Sequence, residues 1–206
     1  MIVCSGALSH FVMSNPEQKI YLLRHGETEW SLNGRHTGVT DIPLTDNGRR
    51  IARLLQPILA REKFDLVLTS PLQRARETCE LAGLGTLATV DRDLVEWNYG
   101  EYEGLTTEQI RQTKPNWSVF RDGCPGGESP LEIGARADRV VAKVRAVDGN
   151  VALFAHGHIF RVVAARWINL AASYGEHFLL DTATLNVLGY YREAPAFKIW
   201  NAPLQQ

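Results

Sequence analysis

The sequence predicts an α/β fold with a mostly parallel central sheet, and three observations carry that prediction. From residue 19 onward, short apolar runs of strand character alternate with segments of helical spacing, the pattern of strand-helix-strand units. Two of the runs, 19–24 (KIYLLR) and 150–155 (NVALFA), read as buried strands because they lack a polar face. Both stop abruptly at a histidine followed by glycine, His25-Gly26 and His156-Gly157, which is how a sheet delivers a reactive side chain to its rim.

Composition sets the outer bounds. At 206 residues, 45% hydrophobic and 22% charged, the chain suits one well-buried soluble domain. We place that domain at 19–206, after an N-terminal extension over 1–18. Residues 1–14 are apolar but lack a basic n-region, and the run is too short to span a bilayer. Lys plus Arg number 22 against 23 for Asp plus Glu, a net charge of −1, which supports neither nucleic-acid binding nor a membrane-surface role. Cys4, Cys79 and Cys124 show no metal-ligand spacing, and their odd number argues against a disulfide framework. Free thiols in a reducing cytoplasm are expected. The histidines His10, His25, His36, His156 and His158 match no common metal-site spacing either.

Taken in order, the first strand is 19–24, central because its middle is apolar on both faces. Glycines and polar residues over 26–41 indicate a long functional loop, with Arg35, Thr37 and Gly38 as candidate pocket residues. Thr45 is the expected N-cap of a helix whose apolar positions are Ile51, Leu54, Leu55, Ile58 and Leu59, with a kink or break at Pro57. A second strand, 64–69, leads to Ser70-Pro71, read as N-cap and first-turn proline of a helix that carries Arg74 near its amino end and Thr78 one turn on. Residues 86–90 form a short strand and 91–104 an acidic loop. A short helix starts at Thr106 or Thr107 and runs toward Gln112. Residues 114–127, with Trp117 and Phe120, suit an irregular lid or pocket wall. Ser129 opens a long helix to 147 with a stripe of Ile133, Ala137, Val140, Val141 and Val144. After the strand at 150–155, a helix over 159–170 and two closing antiparallel strands, 184–191 and 196–200, complete the chain. The strand at 184–191 is either an apolar edge that forms a homodimer or part of the core.

The residues ending these strands suit phosphate. Arg24 offers a planar, permanent charge, His25 a nucleophilic or proton-transferring imidazole, and Gly26 a close backbone approach. A surface arginine beside a hydrogen-bonded histidine is the bland alternative. Arg74 near a helix amino end would attract an anion, or be a surface charge. Among Asp91, Asp93, Glu96, Glu101 and Glu103, residue chemistry alone selects none.

Residues 22–44, reading LLRHGETEWSLNGRHTGVTDIPL, resemble the signature of the histidine phosphatase superfamily, the branch that includes the cofactor-dependent phosphoglycerate mutases. The match recurs at 70–78 (SPLQRARET), 96–104 (EWNYGEYEG) and 155–158 (AHGH), in the family's order. The resemblance implies a three-layer sandwich of phosphoglycerate mutase-like type, with the three strand ends on one rim. It implies His25 as nucleophile forming a phosphohistidine, Glu96 as proton donor, and Arg24, Arg74 and His156 as ligands of the phosphoryl oxygens. Ser31, Thr37, Gly38, Tyr99, Arg121, Gly157 and His158 are the expected substrate contacts. A carboxyl held near phosphate and partly desolvated is expected to have a raised pKa, two guanidiniums to keep His25 neutral, and a phosphate dianion to favour His156 as imidazolium. No cofactor and no metal are expected, since cationic side chains supply the electrostatic stabilisation.

The chain departs from the mutase pattern at several points. Ser31 stands where asparagine is usual, Thr107 where mutases place lysine, and His158 replaces the asparagine of their HGN. The arginine-bearing insertion is shortened to 115–125, with Arg121 its one arginine. These departures favour hydrolysis of small phosphorylated metabolites, and 96–106 (EWNYGEYEGLT) followed by 117–129 (WSVFRDGCPGGES) is especially similar to a branch containing broad acid phosphatases and a sedoheptulose bisphosphatase. Phosphoglycerate mutase is the alternative within the class, and an inactive module that binds phosphorylated ligands is the alternative outside it.

Overall fold

The structure, a computed structural model, describes residues 15–204. Six strands form one sheet: β1 (Ile20–Arg24), β2 (Phe64–Thr69), β3 (Ala88–Val90), β4 (Asn150–Ala155), β5 (Leu185–Tyr191) and β6 (Ala194–Ala202), in the order β3-β2-β4-β1-β5-β6. Strands β3, β2, β4 and β1 are parallel; β5 runs antiparallel to β1, and β6 antiparallel to β5. The strands ending in front of Ser70, His156 and His25 are therefore adjacent, with Arg24 level with Ala155 and Thr69 level with Phe154. Their carboxyl ends share one rim, as expected.

Helices cover both faces. They are α1 (Glu29–Leu32), α2 (Asp46–Arg53), α3 (Gln56–Leu59), α4 (Gln73–Leu81), α5 (Thr107–Thr113), α6 (Val119–Asp122), α7 (Pro130–Arg145) and α8 (Gly157–Trp167). Alternate residues of each central strand point to opposite faces. Ile20 and Leu22 of β1 accordingly pack with Ile133, Val140 and Val163 of α7 and α8, while Tyr21 and Leu23 pack with Leu59 and Cys79 of α3 and α4. Residues 20–23 of β1 are all apolar because the strand is covered on both sides, and the result is a three-layer sandwich.

Local differences from the sequence reading have identifiable causes. The break in the second helix falls at Leu54-Leu55 rather than at Pro57, which sits in the first turn of α3 where its missing N–H costs nothing. Thr45 does cap α2, accepting from Gly48 N at 2.9 Å. Ser70 does not cap α4, whose N-cap is Leu72 with no side-chain bond. Within the expected loop 26–41 a short helix, α1, forms because Thr28 and Ser31 make a reciprocal capping box. Strand β5 is hydrogen-bonded on both sides, so residues 184–191 are core rather than a dimerising edge.

Of the extension placed at 1–18, residues 15–18 lie within the described part. Gln18 is buried and its side-chain amide donates to the carbonyls of Val144, Val147 and Gly149. Cys4, His10 and the rest of 1–14 lie outside the described residues. Cys79 and Cys124 are buried free thiols, each pushed by burial up to about 12. Among the described residues no helix is long and apolar enough to cross a membrane.

Candidate active site

At the end of β1 the chain turns sharply at Gly26. A side chain there would collide with the Gly48 carbonyl, 2.6 Å from the position of its first carbon, so only glycine lets the start of α2 close against this turn. Gly26 N donates to Thr78 Oγ1 at 3.1 Å, and Thr78 Oγ1 donates to Arg74 O at 2.7 Å. These bonds tie the β1 rim to α4.

His25 is buried between the strand ends, 5.2 Å from His156 between ring centroids. Its Nδ1 lies 2.7 Å from Gly26 O. A carbonyl only accepts, so Nδ1 carries the hydrogen and Nε2 keeps its lone pair. Burial first, then the charges of Arg24 and Arg74, lowers its pKa to about 3. The imidazole is thus neutral and nucleophilic at any pH above about 4.

Arg24 donates from Nη1 to Leu180 O, while its buried Nε has no hydrogen-bond partner. An unpaired donor of this kind is costly to bury and is suited to an incoming oxygen. The guanidinium passes over Gly157, where an added Cβ would lie 3.2 Å from Arg24 Nε. Arg74 is wholly buried and its donors are largely engaged: Nε with His156 Nδ1 at 3.2 Å, Nη1 with Thr40 O at 2.9 Å, and Nη2 with Thr37 O and Gly38 O at 3.1 and 3.0 Å. Arg74 therefore shapes the 37–40 loop as well as placing a charge beside both histidines. Glu103 fixes the same loop from the other side, accepting from Gly38 N and Thr40 N.

His156 faces Arg74 with Nδ1 and Ser70 Oγ with Nε2, at 2.8 Å. Since Nδ1 accepts, the ring is neutral; burial, Arg74 and His25 hold its pKa well below the usual value.

Glu96 departs furthest from expectation. Helix α8 begins at Gly157, two residues before the expected start, so its first N–H groups face the acid. Glu96 Oε2 accepts from His158 N at 3.0 Å, and Oε1 from Ile159 N and Trp97 N, both at 2.9 Å. Burial alone would raise the pKa, but the backbone N–H groups of His158, Ile159 and Trp97 favour the carboxylate and hold Glu96 below its usual value. Three N–H donors on one carboxyl group favour its ionised form.

Around this centre, Tyr99 OH meets His158 Nδ1 at 2.6 Å. The Tyr99 phenol, driven up by burial, stays protonated and donates. His36, which sequence reading passed over, is buried against Tyr99, Trp117 and His158, and burial lowers its pKa to about 3. Of the expected contacts, Gly38, Thr37, Tyr99, Gly157 and His158 belong to this assembly. Ser31 spends its hydroxyl on Thr28 in the α1 cap. Arg121 is half-exposed and its guanidinium is engaged by Asn116 O and Glu176. A second arginine on this wall, Arg161, stacks 4.5 Å over Phe120, donates to Gly175 O and Glu176 O, and adds to the lowering of the His158 pKa that burial begins. Its position one turn beyond His158 on a helix was the available signal.

The sequence profile of the histidine phosphatase superfamily (branch 1) matches residues 20–203. The chain belongs to that superfamily. Among its relatives, this histidine phosphatase chain is 44% identical over 176 residues to an acid phosphatase of Mycobacterium tuberculosis, spanning 84% of this chain and 86% of that protein. It is 35% identical over 182 residues to the sedoheptulose 1,7-bisphosphatase of Saccharomyces cerevisiae, spanning 72% and 67%. The structure of an open reading frame product of Mycobacterium tuberculosis superimposes with a TM-score of 0.88 at 39% identity, covering 92% of this chain and all of that one. Family membership and these names support phosphatase chemistry.

The buried neutral histidines of this histidine phosphatase have a consequence for stability. His25 and His36 bind a proton in the unfolded chain below about 6.5 but in the folded chain only near 3. Stability is therefore complete above pH 6.5 and is lost as pH falls toward 3, by about 1.4 kcal/mol per pH unit for each histidine. Ionised Glu96 adds to the loss below about pH 4.5, with the same sign. Urea unfolding in phosphate-free buffer at pH 7, 6 and 5 should show this slope, reduced by about one proton in His36→Gln. A flat profile would contradict the neutral histidines.

Proposed function

We propose that the protein is a metal-independent phosphomonoesterase that hydrolyses small phosphate esters through a phosphohistidine on His25. The observation that carries this reading is the lone pair of His25 Nε2, freed by the bond from Nδ1 to Gly26 O and flanked by Arg24 and Arg74.

In the first step Nε2 attacks phosphorus, the bond to the ester oxygen breaks, and the leaving alkoxide takes a proton delivered through Glu96. Arg24, through its unpaired Nε, stabilises the transferring phosphoryl oxygens. Arg74 adds positive potential beside it, and the neutral His156 ring holds the Arg74 guanidinium in place through Nδ1. Water then attacks the phosphohistidine, Glu96 takes its proton, the P–N bond breaks and phosphate leaves. Since Glu96 is ionised in the resting site, the proton must arrive with the substrate. The reactive complex is the monoanionic ester, whose second ionisation lies at about pH 6, bound to the Glu96 carboxylate.

The substrate class is small phosphorylated metabolites, sugar phosphates foremost. The sedoheptulose bisphosphatase relative supports this, as does Arg161, a second positive charge on the wall beyond His158 that suits a second anionic group.

Phosphate release should be followed from a panel of sugar phosphates and phosphoglycerates in the presence of a chelator, with and without 2,3-bisphosphoglycerate. Release that survives the chelator, with no exchange between 2- and 3-phosphoglycerate, is expected. Rapid exchange stimulated by the bisphosphate would make the protein a mutase and overturn the hydrolytic reading.

A further inference from the structure

Glu96 lies on a stretch with no regular secondary structure. Strand β3 ends at Val90, and residues 96–99 belong to neither helix nor strand. Their backbone groups need partners, and the position of the catalytic carboxyl depends on what supplies them. The suppliers are Arg136 of α7 and Glu128 just before that helix.

Arg136 is buried among the apolar residues of α7, three residues after Ile133 and four before Val140. An arginine on that stripe demands partners, and it has a full set. Nη1 donates to Asp93 O at 2.8 Å and to Val95 O; Nη2 donates to Glu96 O at 3.2 Å and to Glu128 Oε2 at 2.8 Å; Nε donates to Glu128 Oε1 at 2.9 Å. All five N–H donors of the guanidinium are used. Glu128 completes the clamp beyond Glu96. Its Oε2 accepts from Asn98 N and its backbone carbonyl from Trp97 Nε1, both at 2.9 Å. The backbone is thus held on both sides of Glu96, while the carboxylate itself is held by α8.

We infer that Arg136, with Glu128 as its partner, is a positioning residue for proton transfer by Glu96, fixing the acid's backbone on α7 while α8 fixes its carboxylate. The inference rests on the hydrolytic reading above. Arginine is required because a lysine ammonium is a point charge that cannot span three carbonyls and a bidentate carboxylate. Displacement of a positioned acid by about 1 Å is enough to cost about 10²-fold, and the loss falls only where the proton is needed.

The test compares Arg136→Lys with wild type on two esters, p-nitrophenyl phosphate, whose leaving group departs without a proton, and a sugar phosphate, whose alkoxide needs one. The readout is kcat/KM, which reports the step up to phosphoenzyme formation. For Arg136→Lys we expect a loss of about 10- to 100-fold on the sugar phosphate and less than about threefold on p-nitrophenyl phosphate, the general-acid contribution being about 10²- to 10⁴-fold. Should Arg136→Lys fail to fold, Glu128→Gln carries the same comparison. Equal losses on both esters would reduce Arg136 to a structural residue, and no loss on either would remove it from the mechanism. Both outcomes overturn the inference and leave the hydrolytic reading intact. Failure of that reading has its own mark, wild-type turnover that does not depend on His25.

Discussion

His25→Ala is expected to lose at least about 10⁴-fold in turnover on every ester, including p-nitrophenyl phosphate, the scale seen when a covalent nucleophile is removed. No neighbouring imidazole can substitute. His156 has Nδ1 occupied by Arg74 and Nε2 by Ser70, and His158 has Nδ1 occupied by Tyr99. The fold should survive, because His25 contributes one side-chain hydrogen bond, to its own neighbour Gly26. Loss of a buried neutral histidine should also flatten the acid limb of the stability profile. Steady-state rates beside thermal unfolding check both halves, and a variant that keeps more than about a hundredth of wild-type turnover would remove His25 from the nucleophile's role.

Glu96→Gln is expected to show the second largest effect, and its pattern is more diagnostic than its size. On a sugar phosphate kcat/KM should fall by about 10²- to 10⁴-fold, the usual worth of general acid catalysis. On p-nitrophenyl phosphate it should fall little, because nitrophenolate leaves unaided. The pH dependence follows from the ionised resting state of Glu96. The complex needs one proton shared between ester and carboxylate, so wild-type kcat/KM on sugar phosphates should decline above about pH 6, where the ester becomes a dianion. Below that it should hold until the site itself is destabilised. The Glu96→Gln profile should lack this decline. Hydrolysis of the phosphohistidine also needs the carboxylate as base, so the variant should form the intermediate from p-nitrophenyl phosphate and then stall. Initial rates across pH 4 to 8 with the two esters test these statements, and equal loss on both would contradict the assignment of Glu96 as proton carrier.

How far the sequence revealed this site differs residue by residue. The strand ends were legible because β1 and β4 are apolar on both faces, and a buried strand that stops at His-Gly has few readings. Glu96 was not legible from chemistry, since four other acids share its loop. It was selected through resemblance, and the N–H groups that hold its carboxyl were not foreseen. That gap traces to a two-residue difference in where α8 begins. A start at Ile159 leaves the acid in a desolvated pocket, whereas a start at Gly157 presents N–H groups to it. Arg161 went unnoticed beside Arg121 for a related reason. Both follow aromatic or apolar neighbours, and only the packing of the segment around Gly175 shows which guanidinium turns inward. Arg136 did leave a trace, a charge on the apolar stripe of a helix, but its partners are Asp93, Val95, Glu96 and Glu128, and no local pattern announces them.

The central claim is a covalent phosphohistidine on His25, and the most direct test is rapid-quench labelling of Glu96→Gln with p-nitrophenyl phosphate carrying radioactive phosphorus. A burst of close to one equivalent of nitrophenol, matched by protein-bound label that is acid-labile, alkali-stable and absent from the His25→Ala, Glu96→Gln double variant, is the predicted result. Acid-stable label, or label that persists without His25, would place the covalent chemistry elsewhere and contradict the account.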